Sequence, residues 1–188
     1  MASDHTILVF GDSLSAAHGL RPEQGWVALL SARLKAQGYG YEVINASVSG
    51  ETTTGGLARL PRELQLTHPR ILVLELGAND ALQGLPLNLA RERLAGMIRL
   101  AETGGTRVLL LGLLIPPNYG PRYTKQFADM YPALAQQFDT GLVPFLLKGV
   151  ALDPRLMQPD GLHPNAQGEP LVLNTLWPYL KPMLRKSR

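Results

Sequence analysis

The chain has 188 residues, 45% apolar and 18% charged, with a formal net charge of +3. That length suits one domain burying roughly 70% of its unfolded surface, and the composition excludes a disordered chain. The absence of cysteine excludes a thiol nucleophile, a disulfide frame and Cys-based zinc sites, and leaves the compartment open.

Met1-Ala2-Ser3-Asp4-His5 leads almost directly into an apolar run, Ile7–Phe10. No signal peptide is therefore expected in the sequence as written. The run ends at Gly11-Asp12-Ser13, a small-residue turn carrying a serine. Trp26, Leu29, Leu30 and Leu34 fall on one helical face, and Gly38 supplies a stop. Glu42–Ala46 predicts a second strand, leading into Asn45-Ala46-Ser47-Val48-Ser49-Gly50. Ile71–Leu76 predicts a third, opening onto Gly77-Ala78-Asn79-Asp80. Leu94, Met97, Ile98 and Ala101 mark another helix, stopped at Gly104-Gly105. Val108–Ile115, read as the fourth strand, is the longest apolar stretch and falls far short of the ~20 residues a membrane span requires. A weaker run covers Gly141–Phe145. A last helix starts near Gly168-Glu169-Pro170 and carries Leu171, Leu173, Leu176 and Leu180. The basic cluster Lys181–Arg188 reads as a solvated tail beyond a core of about 6–182, not as a nucleic-acid surface.

Apolar strands alternating with amphipathic helices indicate a parallel sheet covered on both faces, in a single α/β domain over residues 1–188. Ligands of such sheets bind outside the carboxyl ends of the strands. The loops carrying Ser13, Gly50 and Asn79 converge there.

A serine hydroxyl is a weak nucleophile that needs an adjacent base, itself oriented by an acid. Asp160-Gly161-Leu162-His163-Pro164 offers both. Pro164 biases His163 towards extended backbone, and the spacing lets Asp160 accept from Nδ1 while Nε2 faces Ser13. Ser13 N–H, Gly50 N–H and the Asn79 amide are candidate donors to an oxyanion. Each residue also has a plainer reading: Ser13 as a helix N-cap, Asp160–His163 as a surface turn, Gly50 as a turn glycine, Asn79 as a loop cap. Their combination favours the chemistry. His5, His18 and His68 read as surface or loop histidines. Asp12 reads as a turn support and Glu75 as a buried hydrogen-bonded acid. Gly-x-Ser-x-Gly and Ser-x-x-Lys are missing from the sequence, which argues against the sites those motifs mark.

Gly11-Asp12-Ser13-Leu14, Gly50, Gly77-Ala78-Asn79-Asp80 and Asp160-Gly161-Leu162-His163-Pro164 resemble the ordered blocks of the SGNH (GDSL) hydrolase superfamily. The bacterial thioesterase I / lysophospholipase / arylesterase branch is the most similar. Gly25–Leu30, Asn45–Ser47, Gly56–Pro61 and Pro116–Tyr123 support that branch. The resemblance implies a flavodoxin-like three-layer α/β/α sandwich with about five parallel strands. It also implies Ser13 as nucleophile, Asp160 and His163 as the rest of a triad, and Ser13, Gly50 and Asn79 as the oxyanion hole. No metal or organic cofactor is implied. Ala78 stands where relatives often have glycine.

Ala81–Leu87 is apolar for a loop, and Tyr119, Tyr123, Phe127, Met130 and Tyr131 form an aromatic segment beyond the fourth strand. Leu82, Leu85, Pro117 and Tyr119 are the expected substrate contacts. The expected function is hydrolysis of short- to medium-chain acyl or aryl esters and thioesters, with lysophospholipids within range. The chain is expected to be a monomer without stable membrane anchoring, periplasmic or secreted by family analogy, with the cytoplasm as the alternative. The competing readings are a carbohydrate acetylesterase, a non-catalytic flavodoxin-like binding module, and a metal-dependent phosphoesterase using Asp12, Asn79, Asp80, Asp160 and His163. Dinuclear sites normally recruit several histidines, and only one of the four here lies in a motif-like loop.

Overall fold

In the computed structural model, which describes residues 5–186, the apolar runs pair as one parallel sheet. Its strands are β1 (Thr6–Gly11), β2 (Glu42–Asn45), β3 (Ile71–Glu75), β4 (Arg107–Leu111) and β5 (Gly141–Val143), in the order β2-β1-β3-β4-β5. Every residue of β1 and β3 is buried, as expected of central parallel strands covered on both faces. Among the described residues, six α-helices cover the sheet: α1 (Trp26–Ala36), α2 (Thr53–Thr67), α3 (Ala78–Leu82), α4 (Leu87–Thr103), α5 (Pro121–Phe138) and α6 (Glu169–Leu180). α1 packs with α6, while α4 packs with α2 and α5. The result is the flavodoxin-like three-layer sandwich. β1 and β3 are neighbours whose connections leave in opposite directions, and this switch point opens a crevice at their carboxyl ends.

Three helices escape a reading by periodicity: α2, α5 and the five-residue α3, which takes Ala81 and Leu82 out of the segment read as a loop. α2 contains Gly55, Gly56 and Pro61, all poor helix formers. Gly56 is needed for packing: a Cβ there would lie 2.5 Å from Leu76 Cδ1. α5 makes most of the aromatic segment beyond β4, Tyr123 to Tyr131, helical. Pro121 starts it, and Phe127, Met130, Tyr131 and Leu134 bury one helical stripe despite Pro132.

Strand ends also differ. β4 stops at Leu111 because Gly112 runs against the next strand's exit, where its N–H donates to Val143 O at 2.7 Å. A Cβ on Gly112 would lie 2.2 Å from Pro144 O. Leu113 and Ile115 are buried as loop residues, whereas Leu171 is exposed. The core runs to Met183, one residue past the expected limit, and the Arg185 N–H donates to Tyr41 Oη at 3.2 Å. The start of the basic segment is thus fastened. Met1–Asp4 and Ser187–Arg188 lie outside the described residues. No helix among the described residues is long and apolar enough to cross a membrane.

Candidate active site

The turn after β1 is held from beneath. The Asp12 carbonyl accepts from the Ser15 and Ala16 N–H groups, and Asp12 Oδ1 accepts from Leu14 N at 3.0 Å. Trp26 Nε1 donates to Leu14 O, and Asn45 Nδ2 donates to Ser15 O. These bonds give Trp26 and Asn45 a role in fixing the loop from which Ser13 projects. Glu75 Oε2 accepts from Asp12 N at 3.2 Å and from Ser15 Oγ at 2.7 Å.

Opposite this turn, residues 157–165 fold as a tight return. Met157 bridges Pro164, Gln158 N donates to His163 O at 2.7 Å, and Gly161 takes a left-handed φ of 68° that its missing Cβ permits. Gln158 Nε2 donates to His18 O at 2.7 Å, tying this return to the Ser13 loop. It brings together groups 150 residues apart: His163 Nε2 lies 2.8 Å from Ser13 Oγ, and His163 Nδ1 lies 2.6 Å from Asp160 Oδ2. Asp160 Oδ1 accepts from Leu162 N and His163 N at 2.9 and 3.1 Å. Partial burial acts to raise the Asp160 pKa. The hydrogen bonds from the His163 ring and the two amides outweigh it and hold the carboxyl at about 2. The acid is ionised at any working pH.

Asn79, at the start of α3, points its amide nitrogen at two acceptors, Asp12 Oδ2 at 3.0 Å and Glu51 O at 2.9 Å. Both partners are acceptors only, which fixes the amide orientation. Both amide hydrogens are therefore engaged. Gly50 lies on the exposed β2–α2 loop with φ 81°. Arg59 fastens that loop, donating to Ala46 O and Glu51 Oε2, with its guanidinium 4.3 Å over the Phe10 ring. Thr53 donates twice to Asp80, closing the loop on α3.

Two buried carboxyls sit behind the turn. Burial raises Asp12 to about 6 against the opposing pull of the Leu14 amide. Burial, then the Asp12 charge, pushes Glu75 well above the ordinary carboxylate range. Among the described residues Glu75 Oε1 has no hydrogen-bond partner, which a neutral acid tolerates far better than a carboxylate. Glu75 is thus the protonated member of the pair, and Asp12 carries charge at neutral pH.

Beside Ser13 and His163 lies a cavity of 140 Å³ walled by Ala78, Asn79, Leu82, Leu114, Ile115, Pro116, Leu147 and Leu162. Of the expected substrate contacts, Leu82 lines it. Leu85, Pro117 and Tyr119 do not. Tyr119 stands behind the wall, donating to Leu82 O at 2.9 Å, and Tyr123 donates to Ala81 O and Leu85 O. Sequence reasoning missed Leu114, Ile115, Pro116, Leu147 and Leu162. The apolar run Val108–Ile115 held a signal for two of them, because it outlasts an ordinary buried strand.

A partly exposed serine hydroxyl on an imidazole, itself on a buttressed carboxylate at the carboxyl edge of a doubly wound sheet, is the arrangement of serine hydrolases. Residues 9–170 match the GDSL-like Lipase/Acylhydrolase family. Esterase TesA of Pseudomonas aeruginosa is 51% identical over 183 residues, covering 97% of this chain and 91% of that protein. Thioesterase 1/protease 1/lysophospholipase L1 of Escherichia coli is 37% identical over 183 residues, covering 97% and 86%. The crystal structure of the psychrotrophic esterase EstA from Pseudoalteromonas sp., inhibited by monoethylphosphonate, superposes with a TM-score of 0.91 at 38% identity, covering 95% of this chain and 97% of that one. The chain belongs to the GDSL-like lipase/acylhydrolase family and is a carboxylic ester hydrolase.

Proposed function

We propose that Ser13 is the nucleophile of an acyl-enzyme mechanism, with His163 as general base and Asp160 as its orienting acid. The observation that carries this reading is the continuous pair of contacts at 2.8 and 2.6 Å from Ser13 through His163 to Asp160. Asp160 holds the proton on Nδ1, so Nε2 is the lone pair that takes the Ser13 proton during attack on the carbonyl. The imidazolium then protonates the leaving alcohol or thiol. Water, activated in the same way, releases the acid. Ser13 N–H, Gly50 N–H and Asn79 Nδ2 serve the oxyanion. Because both hydrogens of the Asn79 amide are engaged, it serves by exchanging its neutral Glu51 carbonyl partner for the oxyanion and keeping Asp12.

The substrate class follows from the cavity. It is small, 140 Å³, and its walls are mostly apolar. A short acyl group enters it, with the alcohol or thiol left towards solvent. The names esterase TesA and thioesterase 1/lysophospholipase L1 support esters and thioesters alike, with lysophospholipids as further substrates. The enzyme acts as a monomer with no cofactor, and export to the periplasm belongs to the same proposal by family likeness.

The test is hydrolysis of para-nitrophenyl esters from acetate to palmitate, alongside acyl-CoA thioesters, by the parent and Ser13→Ala. The variant is expected to lose at least about 10³-fold in kcat, and the parent to prefer short to medium acyl chains over palmitate. Activity retained by Ser13→Ala would overturn the nucleophile. Cleavage of acetylated sugars alone would favour the carbohydrate acetylesterase. Lack of reaction with any ester would favour the binding module.

A further inference from the structure

His18 is an exposed residue at the end of the loop that begins with Ser13. Its ring centroid lies 4.5 Å from that of His163, with the planes tilted by 37°. One ring nitrogen from each histidine and one carboxylate oxygen of Asp160 lie within 4.8 Å of one another. The backbone holds His18 there: its N–H donates to Ser13 O at 3.3 Å, and its carbonyl accepts from Gln158 Nε2 at 2.7 Å. The side chain hangs from an anchored backbone, over the return that carries Asp160 and His163.

We propose that His18, Asp160 and His163 form a zinc-binding site whose occupation switches the hydrolase off. The inhibition rests on the proposed role of His163 as general base; the binding does not. Zinc takes imidazole nitrogen and carboxylate oxygen at about 2.0–2.2 Å in a tetrahedron, which sets neighbouring ligand atoms about 3.3 Å apart. A set already within 4.8 Å reaches that spacing by small side-chain rotations at a surface where His18 and Asp160 are exposed. Three protein ligands leave a fourth position for water. Two imidazoles and one carboxylate suit zinc, whereas magnesium and calcium prefer all-oxygen shells. The ion occupies a His163 ring nitrogen and draws the Asp160 carboxylate away from its orienting contact. Either change removes the base from Ser13. The metal here is an inhibitor of the triad, not a cofactor, so a chelator restores activity.

Two measurements test this. In the first, para-nitrophenyl butyrate hydrolysis is titrated with zinc, with magnesium as control, for the parent and His18→Phe. Phenylalanine keeps the anchored backbone and a ring over His163 but offers no ligand. The expected result is zinc inhibition of the parent reversed by EDTA, no effect of magnesium, and a half-inhibitory zinc concentration raised at least about tenfold in His18→Phe. In the second, calorimetric titration of Ser13→Ala with zinc is expected to show one equivalent bound, weakened to the same degree when His18→Phe is added. Equal zinc sensitivity with and without His18, or no zinc binding to Ser13→Ala, overturns the site. Binding that depends on His18 without inhibition overturns the proposed role of His163 and leaves the site standing.

Discussion

Asp12→Asn tests whether the residue beside the proposed nucleophile acts through Asn79. In the parent the two carboxylate oxygens receive separate donors, Leu14 N on Oδ1 and Asn79 Nδ2 on Oδ2, both at 3.0 Å. An asparagine at position 12 has one oxygen and one NH₂, so one donor must face another donor whichever way the amide lies. The Leu14 bond closes the local turn within two residues and retains the oxygen. Asn79 then loses its charged anchor. Asn79 is half-buried, so leaving its donor unpaired costs about 1–2 kcal/mol, the lower part of the range for buried groups. If that loss falls on the transition state, kcat/KM drops by about 5- to 30-fold. Asn79→Ala, which removes the proposed oxyanion donor itself, sets the ceiling at about 10²–10³.

The assay is para-nitrophenyl butyrate hydrolysis at pH 8, where Asp12, raised to about 6 by burial, is ionised in the parent. A double-mutant cycle decides the route. If Asp12 acts by holding Asn79, Asp12→Asn costs little once Asn79 is already alanine. An equal cost in both backgrounds would place the effect in the Ser13 turn instead. A single variant within about twofold of the parent would refute the coupling altogether.

Glu169, at the start of α6, accepts from Trp26 N at 2.7 Å, and burial raises its pKa from 4.5 to about 7. The native state therefore holds a proton that the unfolded chain releases, and the parent loses stability as pH rises from about 4.5 to 7. Glu169→Gln keeps the acceptor without the charge. Its stability gain over the parent is expected to widen by up to about 3 kcal/mol between pH 4 and pH 8 in urea unfolding, and a gap independent of pH would refute this. Gly112→Ala forces a Cβ to 2.2 Å from Pro144 O and should cost at least about 2 kcal/mol, read by the same assay; a neutral result would disprove the close approach. Tyr123→Phe removes the donor to Ala81 O and Leu85 O. Amide exchange at residues 83–85 should quicken about fivefold for the ~1 kcal/mol lost; unchanged exchange would mean that the phenol does not hold the loop.

What was legible in the sequence and what was not follow from the range over which each signal acts. Strands β1 and β3 could be read because both faces are buried, so Ile7–Phe10 and Ile71–Leu74 are unbroken apolar runs. α2 and α5 could not be read by periodicity, because their glycines and prolines violate helix propensity for tertiary reasons. Gly56 is small because Leu76 crowds it, a constraint written in a different segment. The same division runs through the site. Ser13, Asn79, Asp160 and His163 stand in local patterns whose residue types carry the proposed chemistry. Their surroundings depend on approach between distant segments: Gln158 on the carbonyl of His18, Tyr119 on that of Leu82, Glu169 beneath Trp26. His18 is the sharpest case. In sequence it is an isolated histidine with nothing at ligand spacing, and a surface reading fits its exposure. Only the return of residues 157–165 to the Ser13 loop sets a second imidazole 4.5 Å from the first. A local pattern can therefore nominate candidate reacting groups, but what else can bind them depends on which loops the sheet brings to its edge.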